Sequence, residues 1–321
     1  MSIAVIIVNY GTVDLTIQAV QSVLTRDHGG ATVEIHVLDN ASPGNDRDLL
    51  AAAAMKPGWR DRVTFWPETE NHGFGRGNNV VLSELAARKT PPDKVMLLNP
   101  DARLENEAIA ILANYLDDHP HIGAVGASIT MPGGPPVTAA FRFPGLISEL
   151  VRTVSFGPLA KYFETHAVPL PPDHPEGKVD WVTGAAVMFR LQALIETGLF
   201  DPDFFLYFEE TELQYRLAQA GWNTFYVPGA QVVHDAGAAT GQFRAKRQKQ
   251  PAYLYQSRWL YFGKTQGTAR ALGLALCVLP AAVLNILHHR LRGKPSTLPS
   301  HFFRDHWRYG ILLLLRRMVS P

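Results

Sequence analysis

The first third of the chain alternates short apolar runs with segments that repeat apolar residues at helical spacing. Buried strands are predicted at residues 3–8, 33–38 and 94–98. Helices are predicted after these runs, at residues 12–25, 78–87 and 105–118. Strands separated by helices can pair in parallel, because each helix carries the chain back to the edge where the previous strand began. The alternation predicts an α/β fold, Rossmann-like, with a mainly parallel sheet covered by helices.

Each predicted strand is followed by a polar residue. Asn9 follows the first strand, Asp39 the second and Asn99 the third. The carboxyl ends of parallel strands meet at one edge of a sheet, and open α/β sheets bind their ligands at that edge. We therefore expect a ligand site that includes these three side chains.

The chain after residue 130 has a different pattern. Residues 131–177 are rich in Pro and Gly and are predicted to be long loops of the kind that bind ligands. Ordered structure resumes with a strand at 181–190, a helix at 209–220 and two strands at 222–227 and 231–234. The prediction divides residues 1–240 into two halves, 1–130 and 131–240.

The net charge of +1 is the sum of two unlike regions. Residues 241–321 contain 14 Lys and Arg against one acid, whereas residues 1–240 contain 16 Lys and Arg against 28 acids. The basic region also contains the apolar runs 271–287 and 311–315. Apolar segments with basic flanks favour a peripheral anchor on an anionic membrane, although packing on protein and membrane insertion remain alternatives. We predict that residues 241–321 form a helical, membrane-associating tail.

The cellular compartment is predicted from two features. Cys277 is the single cysteine, so no internal disulfide can form and a reducing compartment is favoured. The first apolar run follows Met1 without a basic leader, which is unlike a secretory signal. We expect a cytoplasmic protein on the inner face of the cytoplasmic membrane.

A carboxylate lies just beyond the third predicted strand. Asp101, after Asn99 and Pro100, could hold a divalent cation, because Mg²⁺ and Mn²⁺ prefer hard oxygen ligands. An Asn-Pro-Asp turn can equally cap the helix that follows it. His234, at the end of the last predicted strand, is a second candidate ligand, and a structural histidine is the alternative.

Residues 71–79 contain three glycines at alternate positions. Gly73, Gly75 and Gly77 would let the backbone approach a ligand closely, and the start of the next helix could attract an anion. The spacing differs from the dinucleotide-binding fingerprint, and the first strand is followed by Tyr10-Gly11-Thr12 in place of that fingerprint. A nicotinamide dehydrogenase is therefore disfavoured.

An acidic cluster follows an aromatic run near residue 205. Glu209, Glu210 and Glu212 open a predicted helix, where carboxylates are also favoured by the helix dipole. A carboxylate beside an apolar wall can act as a general base on a hydroxyl group. The cluster is a candidate catalytic site.

Taken in order, these segments resemble those of the family 2 glycosyltransferases, which have the GT-A fold. The resemblance covers roughly residues 1–240 and is greatest for bacterial rhamnosyltransferases of surface-polysaccharide assembly. It implies a catalytic domain at 1–240, with a nucleotide-sugar-binding half at 1–130 and an acceptor and catalytic half at 131–240. It implies that nucleotide-sugar binding involves Asn9, Tyr10, Asp39, Asn40, Gly73, Phe74, Gly77, Asn78, Asn99 and Asp101. It implies an acceptor-side segment with Trp181, Thr183, Gly184 and Ala185. It also implies metal binding, by Mn²⁺ or Mg²⁺, at Asp101 and His234.

The same resemblance assigns the catalytic base, with one departure from the family pattern. The family usually has Glu-Asp where this chain has Glu209-Glu210, so the base carried over is Glu210, with Glu209 beside it. Glu210 is one methylene longer than the usual Asp, and Glu209 or Glu212 could take the role instead. The metal motif also has Asn99 in place of its first acid.

The implied activity is inverting transfer of a sugar from a nucleotide diphosphate to a glycan or polyprenyl-diphosphate-linked acceptor. Rhamnose from dTDP-rhamnose is the preferred donor, in cell-wall or O-antigen polysaccharide synthesis. A UDP-sugar donor for hexosyl, N-acetylhexosaminyl or galactofuranosyl transfer is the first alternative. A catalytically silent scaffold that binds nucleotide sugars or glycans is the second. No nucleic-acid partner is expected, and a homo-oligomer is left open.

Overall fold

The computed structural model describes residues 1–235 and 249–319. These residues form two compact units. The first comprises residues 1–141, 169–203 and 209–235, and the second comprises residues 142–168, 204–208 and 249–319. The domain boundary predicted at residue 240 lies outside the described residues.

The first unit contains the strands of the protein's described part. They are β1 Ser2–Asn9, β2 Thr32–Asp39, β3 Val63–Pro67, β4 Lys94–Leu98, β5 Ala102–Leu104, β6 Ile122–Thr130, β7 Pro136–Val137, β8 Ala140–Phe141, β9 Gly177–Val179, β10 Trp181–Val182, β11 Ala186–Arg190 and β12 Asn223–His234. Its helices are α1 Val13–Leu24, α2 Asp46–Ala54, α3 Gly73–Ala87, α4 Ala108–Asp118, α7 Leu191–Thr197 and α8 Glu209–Gln219, whereas α5 Leu146–Val154 and α6 Gly157–Tyr162 belong to the second unit.

The main sheet has the strand order β3-β2-β1-β4-β11-β6-β12-β5, and β7 and β9 pair with β6 and β12. Strands β3, β2, β1 and β4 run parallel, as do β6 and β12. Strand β11 is inserted antiparallel between β4 and β6. Helices cover a core of Ile, Val, Leu and Ala side chains, and the predicted α/β sheet is confirmed.

Two predictions for the second half of this unit were wrong in detail. The strand expected at 181–190 is divided by Thr183-Gly184-Ala185, so β10 pairs with β8 in a separate two-stranded sheet while β11 joins the main sheet. The strands expected at 222–227 and 231–234 are one strand, β12, with a register shift between Val227 and Gln231.

The glycine segment also differs from the prediction, because helix α3 begins at Gly73 and includes all three glycines. The glycines allow close packing of the helix. A Cβ atom on Gly75 would lie 3.0 Å from the Cβ of Phe200, and one on Gly77 would lie 3.3 Å from a methyl group of Val8. Larger residues would therefore push the helix away from its neighbours.

The second unit is helical, which confirms the predicted C-terminal helices. It contains α5 Leu146–Val154, α6 Gly157–Tyr162, a 3₁₀ turn at Glu164–His166, α9 Ala252–Gln266, α10 Thr268–Leu291, α11 Phe302–His306, a π-helical turn at Trp307–Ile311 and α12 Leu312–Val319. Helices α5 and α6 replace part of the loop predicted at 131–177. The Pro and Gly residues that favoured a loop lie largely outside these helices, and Ser148 caps α5 through the backbone of Gly145.

One helix among the described residues, α10, is long and apolar enough to cross a membrane, with 39% of its most apolar window buried. Length and composition alone are weak grounds for a membrane span. Buried side chains of α10 include Leu274, Val278 and Asn285, whose amide donates to the carbonyl of Thr153 at 2.9 Å. One side of α10 is therefore packed within the second unit.

Candidate active site

The end of strand β1 is held by a buried amide. Nδ2 of Asn9 donates to a carboxylate oxygen of Asp39 at 2.9 Å and to one of Asp46 at 3.0 Å. Its Oδ1 accepts hydrogen bonds from the hydroxyl groups of Thr12 and Thr16. These contacts fix the carboxyl ends of β1 and β2 relative to the starts of α1 and α2. Asn9 thus fixes the position of the Asp39 carboxylate.

Asp39 lies at the end of β2 and is almost completely buried. Its Oδ1 accepts from Asn9 and from the hydroxyl of Ser42 at 2.6 Å, whereas Oδ2 has only a long contact, 3.4 Å, from the backbone N–H of Ser42. One carboxylate oxygen is therefore used within the protein and the other retains capacity to accept a hydrogen bond. Tyr10, on the same edge, is 40% exposed and extends into solvent.

Asn40 holds the turn that leads into helix α3. Its Nδ2 donates to Oδ1 of Asn71 and to the carbonyl of Gly73, and its Oδ1 accepts from the N–H of His72. The positive φ of Gly73, 75°, permits the sharp entry into the helix. The asparagine predicted for nucleotide binding therefore orders the glycine segment.

Helix α3 presents Phe74 and Asn78 on neighbouring turns. The Phe74 ring packs edge-on against Phe200, with a centroid distance of 6.0 Å. Nδ2 of Asn78 donates to the carbonyl of Phe74 at 3.0 Å. Within the described part of the chain, the buried Oδ1 of Asn78 has no hydrogen-bond partner. A buried unpaired acceptor is uncommon in folded proteins.

Asp101 and His234 are brought together by the pairing of β5 with β12, which places His234 opposite Ala102. Nε2 of His234 lies 2.9 Å from a carboxylate oxygen of Asp101 and 3.3 Å from the amide nitrogen of Asn99. The Asp101 side chain is almost completely buried, and the His234 side chain is largely buried. Residues distant in sequence thus form one local cluster.

The donor chemistry of this cluster fits Mn²⁺ better than Mg²⁺. The carboxylate of Asp101 suits both ions, whereas the imidazole of His234 suits Mn²⁺ and not Mg²⁺, which takes oxygen ligands. Two protein ligands leave coordination positions for phosphate oxygens and water. No group of three His, Cys, Asp or Glu side chains that could hold a metal occurs in residues 1–235 or 249–319. The chain alone could not enclose a cation at this point, so a bound diphosphate would have to complete the site.

Glu209 and Glu210 are the first two residues of helix α8. Burial raises the pKa of Glu209 well above its usual value, and the adjacent charge of Glu210 raises it further. Burial also raises the pKa of Glu210. Among the residues described, neither buried Oε2 atom has a hydrogen-bond partner. A carboxylate of this kind is well suited to accept a proton.

Glu212 is committed to a structural ion pair. Its carboxylate contacts Nε of Arg216 at 2.7 Å, one helical turn away, and is almost fully buried. The guanidinium group of Arg216 also donates to the carbonyls of Thr197 and Leu199. This pair fixes α8 to the end of α7. Within residues 1–235 and 249–319, no ion pair joins Glu209 or Glu210 to a cation.

The acceptor-side segment lies against Phe74 and Glu210. A Cβ atom on Gly184 would lie 3.2 Å from the Phe74 ring and 3.9 Å from the Cβ of Glu210. Trp181 stacks on Phe141, with ring centroids 4.1 Å apart and planes 14° apart. The hydroxyl of Thr183 accepts from the N–H of Ala185 at 3.3 Å. Phe74 of helix α3, the segment around Gly184 and Glu210 of helix α8 therefore meet at one point.

The Asp101–His234 cluster is linked to this meeting point through the backbone. The N–H of Asn99 donates to the carbonyl of Ala185 at 2.9 Å, next to Gly184. Across residues 1–235 and 249–319, no hydrogen bond or ion pair joins Asp101 or His234 directly to Glu209 or Glu210. The Asp101–His234 pair is thus separate from the Glu209–Glu210 pair within the same unit.

Three further residues shape the site and were not predicted from the sequence. Asp46 bonds Asn9, and Asn79 holds Phe200 through both its amide nitrogen and its amide oxygen, at 2.7 and 3.0 Å. Gln214 bonds the backbone of Val182 and of Glu210. The spacing of Gln214 one turn after Glu210 is the only sequence signal among these contacts, because the others join distant segments.

The sheet, with its polar carboxyl edge, has the GT-A fold, which solved structures of other proteins share. The chain belongs to glycosyltransferase family 2, since the model of the family described as "Glycosyltransferase like family 2" matches residues 2–253. The family and fold predicted from the ordered motifs are confirmed.

Similar proteins include rhamnosyltransferases. The chain is 29% identical over 223 residues to the N-acetylglucosaminyl-diphospho-decaprenol L-rhamnosyltransferase of Mycobacterium tuberculosis, covering 65% of this chain and 69% of the relative. It is 22% identical over 177 residues to rhamnosyltransferase WbbL of Escherichia coli K12, covering 54% and 65%. The Haloferax volcanii hexosyltransferase Agl10 is 23% identical over 259 residues, covering 80% of this chain and 74% of the relative.

Solved structures share the fold at low identity. The mannosyltransferase PcManGT of Pyrobaculum calidifontis, in complex with GDP-Man and Mn²⁺, gives a TM-score of 0.55 at 17% identity, covering 99% of this chain and 87% of that chain. GalNAc-T7 with UDP, GalNAc and Mn²⁺ gives a TM-score of 0.58 at 14% identity, covering 99% and 56%. These likenesses support the GT-A fold.

Proposed function

We propose that this protein transfers rhamnose from dTDP-rhamnose to a polyprenyl-diphosphate-linked glycan, with inversion at the anomeric carbon and with a divalent cation. The meeting of Phe74, Gly184 and Glu210 carries the proposal, because it brings together the donor segment, the acceptor segment and a buried carboxylate. Two relatives named as rhamnosyltransferases support the choice of sugar. The product would be a cell-surface polysaccharide of the cell-wall or O-antigen type.

In the proposed reaction, Glu210 accepts the proton of the acceptor hydroxyl. The acceptor oxygen forms a bond to the anomeric carbon as the bond from that carbon to the nucleotide diphosphate breaks. A single displacement of this kind inverts the anomeric centre. The raised pKa of Glu210 favours proton transfer, because a base is most effective when its pKa is close to the working pH.

Several residues have supporting roles in this proposal. The free Oδ2 of Asp39 would accept a hydrogen bond from the nucleobase, with Tyr10 at the open side of the base. Asp101 and His234 would hold Mn²⁺ or, less favourably, Mg²⁺. A divalent cation there neutralises negative charge on the leaving diphosphate. Trp181 and Phe141 would provide an aromatic face for the acceptor sugar.

We also propose a peripheral position on the inner face of the cytoplasmic membrane. Helix α10 exposes Leu276, Val283, Leu284, Leu287 and Leu291 on one side. Exposed basic residues follow in the same unit, including Arg290, Arg292, Lys294, Arg316 and Arg317. An apolar face beside basic side chains suits the headgroup region of an anionic bilayer, where a lipid-linked acceptor would be found.

The donor is tested by thermal shift with dTDP, dTDP-rhamnose, UDP and UDP-sugars, each with and without Mn²⁺. A ligand at a hundredfold excess over its Kd stabilises the native state by about 2.7 kcal/mol, so a Mn²⁺-dependent shift with dTDP-rhamnose is expected. A shift with UDP-sugars alone would replace rhamnose by a hexosyl, N-acetylhexosaminyl or galactofuranosyl group. Asp101→Ala should lose the dependence on Mn²⁺.

The base is tested by release of dTDP in the presence of a prenyl-diphosphate-linked N-acetylglucosamine acceptor. Glu210→Gln should lower kcat by ~10²–10⁴-fold and keep the thermal shift with dTDP-rhamnose, because it removes the base and leaves the donor segment intact. Glu105→Gln, the same change at an exposed position, is the control. Nucleotide binding without turnover in the wild type would favour a silent scaffold.

A further inference from the structure

Helix α8 contains a fully buried amide one turn after the proposed base. The side chain of Gln214 has 0% exposure. Its Oε1 accepts from the N–H of Val182 at 2.9 Å, and its Nε2 donates to the carbonyl of Val182 at 2.9 Å. The same Nε2 lies 3.1 Å from the carbonyl oxygen of Glu210. One side chain therefore bonds both the acceptor-side strand and the backbone of Glu210.

The contacts with Val182 replace those of a neighbouring strand. Val182 belongs to β10, which has only two residues and pairs with β8 on its other side. A buried N–H and a buried carbonyl need partners, and the primary amide of Gln214 supplies an acceptor and a donor in one plane. Strand β10 is thus hydrogen-bonded to helix α8 on one side and paired with β8 on the other.

Val182 also packs closely against the main sheet. It covers Gly126 of β6, and a Cβ atom on Gly126 would lie 2.5 Å from the Cβ of Val182. Strand β10 therefore cannot pack closer to the main sheet. Next to Val182, Trp181 stacks on Phe141 and forms the aromatic face proposed for the acceptor. The position of this face relative to α8 is set by the Gln214 contacts.

We propose that Gln214 is a positioning residue, which holds the first turn of α8, and with it Glu210, at a fixed distance from the acceptor-side strand Trp181–Val182. The inference rests on the proposed function, because it assigns Glu210 as the base and the Trp181 face to the acceptor. Gln214 itself touches neither substrate. A base displaced by about 1 Å can reduce turnover by ~10²-fold, so an amide that fixes this spacing influences the rate without taking part in the chemistry.

The test is Gln214→Met, which keeps the length of the side chain and removes both hydrogen-bonding groups. With dTDP-rhamnose as donor and a prenyl-diphosphate-linked N-acetylglucosamine acceptor, we expect kcat to fall by about 10- to 100-fold while the donor KM and the thermal shift with dTDP-rhamnose stay unchanged. Amide hydrogen exchange should accelerate at Val182 and in the first turn of α8.

Asn285→Leu is the matched control. It removes another fully buried amide that donates to a backbone carbonyl, that of Thr153, in the second unit. Both variants should lose stability, but only Gln214→Met should lose kcat. A kcat within twofold of wild type for Gln214→Met, or a donor KM that rises as kcat falls, would overturn the positioning role.

Failure of the proposed function gives a different result. If the wild type released no nucleotide from dTDP-rhamnose or UDP-sugars, the reaction would be rejected. Amide hydrogen exchange in Gln214→Met would then test whether Gln214 holds the start of α8 against Val182. Faster exchange at both Val182 and Glu210–Leu213 would support this role. Acceleration at Val182 alone would show that Gln214 does not hold the helix start, and would overturn it.

Discussion

Glu209 and Glu210 are adjacent carboxylates, yet their environments differ. Glu209 is buried and is affected both by desolvation and by the charge of its neighbour, whereas the pKa of Glu210 is raised by desolvation. Glu210 is the acid whose Cβ lies near the site of a Cβ on Gly184. The contacts therefore favour Glu210 as the base and leave Glu209 as a group that lowers stability when it is charged.

The prediction for Glu209 concerns stability against pH. Its pKa is higher in the folded than in the unfolded chain, so the folded state binds the proton more tightly, and stability falls as pH rises from about 4.5 through the raised folded value. Glu209→Gln removes this loss of stability, because the glutamine side chain does not ionise. The Tm of the variant should exceed that of wild type by more at pH 8 than at pH 5, as measured by thermal unfolding.

Glu105→Gln is the comparison for this experiment, because Glu105 is exposed and its replacement should shift Tm little at either pH. An equal Tm difference for Glu209→Gln at both pH values would show that the Glu209 carboxylate has the same pKa in the folded and unfolded states. A smaller Tm difference at pH 8 than at pH 5 would show that folding lowers the pKa of Glu209, the opposite of the prediction.

At the residue scale, the sequence was sufficient to indicate residues that follow strands, such as Asn9, Asp39 and Asn99. Each stands where an apolar run ends, and that ending can be seen without a structure. The partners of these residues could not be predicted. Asp46 approaches Asn9 from the start of another helix. That contact depends on tertiary packing, which leaves no periodic signal in the chain.

At the element scale, the elements with continuous apolar patterns were predicted and those built around small residues were missed. Strand β6 contains Gly123 and Gly126, which weaken its apolar pattern. Both glycines are required by packing, since Cβ atoms there would lie 2.9 Å from Trp222 and 2.5 Å from Val182. The residues that obscured the strand in the sequence are therefore the ones that allow other segments to cover it.

This packing predicts the effect of Gly126→Ala. The added methyl group overlaps Val182, so the variant should be destabilised by about 1–3 kcal/mol, a typical value for overpacking a core. Chemical denaturation gives the measurement. Gly177→Ala, in strand β9, adds the same group with nothing within 4 Å and should change stability much less. Similar losses in both variants would indicate a general intolerance of strand glycines to substitution.

At the scale of the whole molecule, charge and apolar surface are segregated along the sequence. The region after residue 240 has a balance of 14 basic residues to one acid, and its helix α10 combines a packed side with an exposed apolar side. The sequence indicated the helices and the basic charge of this region. It could not indicate which side of α10 is exposed, because the helix is apolar almost all round and its burial depends on the helices packed against it.

The membrane prediction follows from that exposed side. Full-length protein should float with vesicles that contain phosphatidylglycerol and much less with phosphatidylcholine alone, and salt should weaken flotation because exposed charges are screened. The double variant Leu284→Asp with Leu287→Asp places charge on the apolar face and should abolish flotation. Leu49→Asp alters a similarly exposed leucine in the first unit and should float like wild type.

If the double variant also floats, α10 is not the anchor. If wild type never floats and is dimeric by light scattering, whereas the double variant is monomeric, the apolar face binds a second copy of the chain and the peripheral membrane position is wrong.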